Sequence, residues 1–194
     1  MNFAYPAGAT PLDPDTLAGL LPALTTQAEL NEFEERNIVA ATLWARRSRL
    51  LRREYPNVTA LRRLHRQMFD LTWAWAGTFR QVDTNIGVAK QRIPLELHGL
   101  CDDVRFWLAH EVYPWDERAA HFHHRLVAIH PFPNGNGRHA RLATNILLAQ
   151  HRQQPFTWGS QSLVADSSLR QEYIAALREA DAGNIARLLA FVRT

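Results

Sequence analysis

Apolar positions recur at steps of three and four along much of the chain, which is the spacing of amphipathic helices. The first such run extends over 27–54 and follows Thr25 and Thr26, residue types that suit a helix N-cap. Its inward side is expected to consist of Leu30, Phe33, Asn37, Ala40, Ala41 and Trp44. After a break at Pro56, a second helix is predicted over 59–70.

The second half of the chain continues the helical pattern. Helices are predicted over 95–110, 116–129, 136–150, 166–181 and 184–192. Asp116 is suited to capping one of them, and Gly183 is suited to ending another in a left-handed conformation. Trp73 and Trp75 lie between predicted helices and are expected to anchor the core, because large aromatic side chains contribute much of the burial.

One segment departs from the helical pattern. Residues 78–94 carry β-branched and aromatic side chains, with Asn85-Ile86-Gly87 as a turn, and predict a short β-hairpin or extended flap. Residues 1–24 are rich in Pro, Gly and Ala and are expected to form an extended arm. The predicted fold is therefore mainly α: a helical bundle over 25–192 in a single domain, with a β-hairpin flap.

Composition agrees with one globular domain. Of the 194 residues, 46% are apolar and 21% are charged, which argues against disorder and low complexity. The apolar runs are too short for a membrane-spanning helix, and 1–11 lacks the pattern of a secretory signal. Cys101 is the only cysteine, which excludes an internal disulfide and favours a reducing, cytoplasmic setting with Cys101 as a small buried side chain.

Positive charge is concentrated in one part of the sequence. The window Arg36–Arg66 contains nine arginines and a single acid, Glu54. Such a run could bind nucleic acid, but a solvated helix face is the simpler interpretation. Because helix-turn-helix and zinc-finger spacings are missing from the sequence, a nucleic-acid-binding module is the disfavoured alternative.

The densest cluster of polar residues lies between two predicted helices, over 130–141, and reads HPFPNGNGRHAR. Glycines on both sides of Asn136 let the backbone approach a ligand closely, where the free N–H groups of a new helix favour an anion. Arg138 and Arg141 are one helical turn apart and can hold neighbouring phosphates. His130 at the entrance has the chemistry of a general base. These residues predict a phosphate cradle beside a base.

Other catalytic interpretations have less support. His121, His123, His124, His130 and His139 could suggest a metal, but no His-Glu-x-x-His motif or cysteine cluster accompanies them. Serines over 160–168 lack the Gly-x-Ser-x-Gly elbow of a serine hydrolase.

The pattern His-Pro-Phe-x-x-Gly-Asn-Gly-Arg-x-x-Arg over 130–141 resembles the signature of Fic-domain proteins of the Fic/Doc superfamily. The WAGTFR segment over 75–80 is similar to the approach to the Fic flap, and YIAAL over 173–177 is similar to the closing helices. The resemblance covers about 25–192, and the TTxxEL start looks like the subgroup called mobile mystery protein B.

The resemblance implies a protein adenylyltransferase, an enzyme that transfers AMP from ATP to a Ser, Thr or Tyr hydroxyl of a target protein. His130 would deprotonate the hydroxyl, and Phe132 would anchor the loop in the core. The phosphates would lie in an anion hole formed by Gly135, Asn136 and Gly137. The target itself stays unidentified, and the resemblance also allows a homodimer.

The same resemblance assigns roles to the arginines and to the flap. Arg138 would hold the outer phosphates, and Arg141 would position the γ-phosphate or pair with an inhibitory glutamate. The flap would dock the main chain of the target by strand addition. The docking residues would be Thr84, Asn85, Ile86, Gly87 and Val88.

One position departs from the family pattern. Asn134 stands where the family usually has the Asp or Glu that holds Mg²⁺, so a weakened metal site is expected. Three outcomes stay open: slow AMP transfer, a different nucleotide or phosphate donor, or nucleotide binding without catalysis.

An inhibitory helix is a further expectation over 25–35. Thr25 and Glu29 match the family's Ser/Thr-x-x-x-Glu pattern, although the next residue does not. We therefore expect Glu29 to restrain Arg141, with Glu35 as the weaker candidate. The alternative is that Thr25 and Glu29 only stabilise the start of a helix.

Overall fold

The chain folds into a bundle of helices in the computed structural model, which describes residues 14–53, 55–159 and 167–194. In chain order the helices are α1 (Pro14–Ala18), α2 (Gln27–Arg47), α3 (Arg49–Arg52), α4 (Val58–Phe69), α5 (Ile93–His110), α6 (Trp115–Ile129), α7 (Asn136–Gln150), α8 (Ser167–Asp181) and α9 (Ala186–Val192). The mainly helical prediction is confirmed. Within these described ranges, every helix is too short or too polar to cross a bilayer.

The main core lies between α2, α4, α5, α6 and α7. Helix α4 points Leu61, Leu64 and Met68 into it, and all three are fully buried, as their spacing predicts. Trp73 is also fully buried, and Trp75 packs against the same core. Helices α4 and α7 pack against each other in this core. This packing fixes the start of α7, which lies within the polar segment 130–141.

Helices α8 and α9 form a second apolar cluster with α6, through Ala120 and Leu188 among others. Gly183 follows α8 with φ +88°, which confirms its predicted left-handed conformation. The expected cap of α6 is wrong, because the helix begins one residue earlier and the Asp116 carboxylate pairs with Arg193. Cys101 is buried, and burial raises the pKa of its thiol to about 12, as expected for an unreactive side chain.

The long helix predicted over 27–54 is interrupted. Helix α2 ends at Arg47, and Ser48 has an extended backbone with ψ 119°. The Ser48 hydroxyl accepts a hydrogen bond from the N–H of Leu51 and so caps the short helix α3. A serine that competes for backbone hydrogen bonds explains why the helical spacing overstated the length of α2.

The described part of the predicted arm is not a free extension. Residues 14–18 form α1, and the carbonyl of Thr16 accepts a hydrogen bond from Trp75 Nε1 at 3.0 Å. The Leu21 N–H donates to the carbonyl of Thr72 at 2.8 Å. These bonds attach the segment to the core around Trp73, while residues 1–13 lie outside the described residues.

The β-hairpin predicted over 78–94 does not form among the described residues. Residues 78–89 follow an irregular path, 90–92 form a 3-10 turn, and the helix predicted from 95 begins at 93. The backbone carbonyls of Val82 and Val88 accept hydrogen bonds from the buried Arg80 side chain. Arg80 takes acceptors that a partner strand would use, and the segment forms no strand ladder among the described residues.

Candidate active site

The polar loop is held between two helix ends. His130 follows the last residue of α6 with φ 52° and ψ 59°, a left-handed conformation that turns the chain sharply out of the helix. Gly135 precedes α7 with φ +79°, and a Cβ there would meet Cζ of Phe69 at 2.5 Å. Only glycine fits this conformation and this close contact. The loop therefore brings the base and the start of α7 together.

Phe132 anchors the loop, as the resemblance implied. Its ring is fully buried and stacks on His65 with 3.7 Å between ring centroids. His65 Nδ1 accepts a hydrogen bond from the N–H of Gly77, so the other nitrogen, Nε2, carries the proton that it donates to the carbonyl of Asn134. Burial holds the pKa of His65 well below its usual value, which keeps this neutral tautomer.

Asn136 closes the loop with its side chain. Its Oδ1 accepts from the N–H of Phe132 at 2.9 Å, and its Nδ2 donates to the carbonyl of Phe132 at 2.7 Å. The amide is therefore engaged within the loop, so any contact of Asn136 with a nucleotide would use its backbone N–H. No described side chain caps α7, and its N-terminus has the positive potential that attracts phosphate.

Asn134 does not present a metal ligand. Its Oδ1 accepts a hydrogen bond from the N–H of Gly135 at 2.7 Å, so the amide oxygen is turned back on the loop. Among the described residues no group of three or more His, Cys, Asp or Glu side chains is placed to hold a metal ion. In this conformation the Asn134 amide stabilises the loop, and its role as a weakened Mg²⁺ ligand stays a prediction.

His130 is a neutral imidazole near the start of α7. Burial lowers its pKa to about 4, the positive charge of Arg80 acts in the same direction, and a backbone hydrogen bond with Val127 opposes both. Arg80 donates from Nε to the carbonyl of His130 at 2.8 Å. At neutral pH the ring therefore has a nitrogen lone pair that can accept a proton.

Arg138 is paired with a buried carboxylate from α2. Its Nη1 donates to Oε2 of Glu34 at 2.6 Å, and Trp73 Nε1 donates to Oε1 of Glu34 at 2.7 Å. Glu34 is 1% exposed, so both oxygens of an almost fully desolvated carboxylate have a strong partner. The arginine expected to hold outer phosphates is occupied by an internal anion.

Arg141 takes a different partner. Its guanidinium lies 5.6 Å from the ring centroid of Tyr173, and the Tyr173 hydroxyl is 2.9 Å from Nε2 of His123. Burial lowers the pKa of Arg141, while a hydrogen bond with Tyr173 opposes the shift. No ion pair between Arg141 and a carboxylate is found in the described ranges of the chain.

The expected restraint by Glu29 is wrong. Its Oε2 accepts from the N–H and hydroxyl of Thr25 and from the N–H of Thr26. The Thr26 hydroxyl in turn accepts from the N–H of Glu29, which completes a capping box at the exposed start of α2. These hydrogen bonds lower the pKa of Glu29 and commit its carboxylate to the helix end. The weaker candidate Glu35 is exposed, and its neighbour Glu34 reaches the loop instead.

The structure brings part of the predicted flap to His130. A Cβ on Gly87 would lie 2.7 Å from Cβ of His130, and the Val88 N–H approaches the carbonyl of Ile129 at 3.4 Å. Thr84 turns inward along the segment and donates to the carbonyl of Ile86 at 2.6 Å. Asn85 and Ile86 are exposed at its outer side. All five predicted docking positions therefore belong to a segment packed beside the base.

Sequence reasoning missed two groups at this site, Glu34 and Arg80. Glu34 is four residues after Leu30 and three before Asn37, so a carboxylate on the buried side of α2 was the available signal. Trp73 was expected only as a core anchor, although its indole N–H also needs a partner when buried. Arg80 ends the WAGTFR segment of the resemblance, but that pattern did not show its role, because its acceptors are main-chain carbonyls.

A neutral imidazole, a glycine-lined helix N-terminus and two arginines on a helical bundle are the features expected of a phosphate-binding site next to a base. Residues 55–148 match the model of the Fic/DOC family. Solved structures agree on the fold. Fic-1 from Caenorhabditis elegans superposes with a TM-score of 0.68 at 24% identity, over 91% of this chain and 51% of that one. The N-terminal FIC domain of Bep8 from Bartonella gives 0.68 at 13% identity, over 89% and 88%.

Curated relatives carry the name protein adenylyltransferase. The chain is 36% identical to the fic-1 protein of Caenorhabditis elegans over 76 residues, which is 39% of this chain and 14% of that protein. It is 31% identical to the Fic protein of Drosophila grimshawi over 120 residues, or 60% and 23%. The chain thus spans less than a quarter of the length of these relatives.

Proposed function

We propose that the chain transfers AMP from ATP to a hydroxyl group of a target protein. The observation that carries this proposal is the neutral His130, at the start of the loop that leads into the open N-terminus of α7. Two further findings support it: the similar curated proteins are named adenylyltransferases, and the BepC protein of Bartonella tribocorum was solved with AMPPNP bound. The acceptor would be a Ser, Thr or Tyr side chain.

In this reaction the acceptor oxygen attacks the α-phosphorus and passes its proton to the His130 imidazole. The bond from the α-phosphorus to the bridging oxygen breaks, and pyrophosphate leaves with its electron pair. An imidazole whose pKa is about 4 is a weak base. Phosphates bound next to the ring would raise this pKa, since a nearby negative charge favours the protonated form. Nucleotide binding therefore makes His130 a better base.

The groups around the phosphates are the start of α7 and its arginines. The backbone N–H groups of Asn136 and Gly137 would bind phosphate oxygens, since the N–H of Gly135 is taken by Asn134. Arg138 and Arg141 would neutralise the leaving pyrophosphate. Mg²⁺ carried by the nucleotide adds charge neutralisation when it is bound, but the loop offers it no carboxylate.

Glu34 acts as an internal competitor in this proposal. An outer phosphate of the nucleotide and the Glu34 carboxylate both need the guanidinium of Arg138, which Glu34 already binds at 2.6 Å. The regulation expected of Glu29 and Arg141 is thus transferred to Glu34 and Arg138. Resting activity would be low until the pair opens.

Several finer expectations remain predictions of the sequence. They are the single domain over 25–192, residues 1–13 of the expected arm, the mobile mystery protein B subgroup, the homodimer and the cytoplasmic location. A different nucleotide donor and binding without turnover are the alternatives that the amide of Asn134 leaves open.

The test is transfer of label from α-labelled ATP to lysate proteins or to the chain itself. We expect labelling by the wild type, none by His130→Ala, and about 10- to 100-fold more by Glu34→Gln, which loses one charge-assisted bond to Arg138. The matched control Glu35→Gln changes the exposed neighbour and should label like the wild type. Label from γ-labelled ATP only, or labelling that survives His130→Ala, would contradict the proposal.

A further inference from the structure

Arg80 lies between the flap segment and the base, and neither the family signature nor the proposed chemistry gives it a role. The residue is 2% exposed. Its Nε donates to the carbonyl of His130 at 2.8 Å, its Nη1 donates to the carbonyl of Val82 at 2.9 Å, and its Nη2 donates to the carbonyl of Val88. One side chain therefore binds the main chain on both sides of the gap between the flap and the loop.

The shape of the guanidinium makes this arrangement rigid. The group is planar, and its five N–H donors have fixed directions, so three carbonyls that bind it are fixed relative to one another. The backbone adds to this, because the N–H of Arg80 donates to the carbonyl of Pro131 at 3.0 Å. Asp83 lies 3.5 Å from Nη1 and supplies the counter-charge from the flap side.

The flap is also in direct contact with the base. Gly87 has φ +104°, and a Cβ there would approach Cβ of His130 to 2.7 Å and Nη2 of Arg80 to 2.9 Å. There is no room for the segment to shift toward His130. Its distance from the imidazole is therefore set by the hydrogen bonds of Arg80 on one side and by this packing on the other.

We infer that Arg80 is a positioning residue that holds the docking flap and His130 as one rigid unit. A target segment bound along 84–88 would then present its hydroxyl at a fixed distance from the imidazole. Such alignment lowers the barrier of a two-substrate reaction by removing the need to search for the reactive geometry. Among the described residues, the polar partners of the Arg80 guanidinium are main-chain carbonyls and Asp83. The inference rests on the proposed transfer reaction and deepens it.

The substitution Arg80→Lys separates positioning from charge, because lysine keeps the cation but loses the planar set of donors. We expect kcat for transfer to fall about 10- to 100-fold and the KM for the target to rise, while the dissociation constant for ATP stays within about twofold, since the phosphates bind to α7. The matched control is Arg62→Lys. Arg62 donates to the carbonyl of Gly77 and covers the Phe79 ring on the exposed side of the same segment.

Gly87→Ala provides a second variant, which keeps the Arg80 side chain and acts on the contact between the flap and His130. Its methyl group would push the flap away from His130, so the same fall in kcat with intact ATP binding is expected. Wild-type transfer by Arg80→Lys or Gly87→Ala would overturn the inference. A parallel loss of ATP binding and kcat in both would also overturn it, because that result indicates a general structural defect.

A measurement without turnover separates this inference from the proposed function. In Arg80→Lys, amide hydrogen exchange at 82–88 should accelerate and the imidazole resonances of His130 should shift, with no change in Arg62→Lys. If the wild type transfers nothing but these changes appear, the proposed reaction fails and the positioning role holds. Unchanged exchange and unchanged resonances in Arg80→Lys would overturn the positioning role.

Discussion

Glu34 occupies a position on α2 where a charged side chain would ordinarily be unstable. A desolvated carboxylate is costly unless each oxygen has a strong partner, and here Arg138 and Trp73 provide one each. The indole donates from the side opposite Arg138 and fixes the rotation of the carboxylate. Trp73 therefore contributes to the restraint on the site as well as to the core.

This pairing predicts the effect of Trp73→Phe, which keeps most of the apolar volume but removes the N–H donor. We expect Glu34 to hold Arg138 less firmly and the labelling rate to rise about 2- to 10-fold, since a single hydrogen bond to a charged group is lost and the ion pair remains. The labelling assay of the proposed function measures this directly, and Glu34→Gln should exceed it.

Trp75→Phe is the matched control for this substitution. Trp75 stacks on Trp73 with 5.0 Å between ring centroids, but its N–H donates to the carbonyl of Thr16. A rise in Trp75→Phe equal to that in Trp73→Phe would show that loosened packing, and not the bond to Glu34, causes the effect.

At the scale of elements, the start of α7 depends on two glycines with different tasks. Gly135 has a left-handed backbone and contacts Phe69, whereas a Cβ on Gly137 would meet only Nη1 of Arg141 at 3.6 Å and the Tyr173 hydroxyl at 3.8 Å. The second set of distances is ordinary contact. The GNG sequence pattern does not distinguish these two positions.

We therefore expect Gly135→Ala to lower the free energy of unfolding by about 1–3 kcal/mol from backbone strain, with the Phe69 clash adding to it. Gly137→Ala should change it by less than about 1 kcal/mol, because alanine suits a helix better than glycine does. Urea denaturation of both variants checks the difference. Equal stability of the two variants would contradict the geometry of the loop.

Elements also differ in how well their sequence predicts them. Helices α4, α6 and α7 lie within a residue or two of their predicted bounds, because an apolar stripe fixes a helix locally. The hairpin prediction is wrong because the residue types over 78–94 do not reveal the contacts of the Arg80 side chain. That side chain binds the carbonyls of Val82 and Val88, which strand pairing would require. Strand pairing depends on partners distant in sequence, and local patterns do not reveal them.

The whole molecule buries several histidines in neutral form. Burial lowers the pKa of His123 to about 3 and that of His130 and His139 to about 4, and the unfolded chain returns each to its usual value near 6.5. Between about pH 4 and 6.5 the unfolded state therefore binds more protons than the native state. The stability contributed by neutral burial is complete above pH 6.5 and is lost as the pH falls through this window.

We expect the free energy of unfolding to fall by about 1 kcal/mol per pH unit for each of these histidines between pH 6 and 5. Urea titrations at a series of pH values measure the slope. His139 donates from Nε2 to the carbonyl of Leu61 at 2.9 Å, and His139→Gln retains a donor there, so this variant should have a shallower slope.

His98 is exposed on α5, and His98→Gln is the control for a histidine without such burial. It should keep the wild-type slope. An identical slope in His139→Gln and the wild type would refute the assignment of pH sensitivity to buried neutral histidines.

The sequence by itself determined the helical class, the main core stripe of α4 and the place of the loop 130–141, whereas the burial of Phe132 was implied by the family resemblance. These features depend on residues close together in the chain, so spacing and residue type define them. Only the tertiary structure decided that Glu34 restrains Arg138 and that Arg80 joins the flap to His130. Each pair is far apart in sequence, and its members meet only because α2 and the flap pack against α7 and the loop. This packing excludes water, so the buried charges must find their partners within the protein.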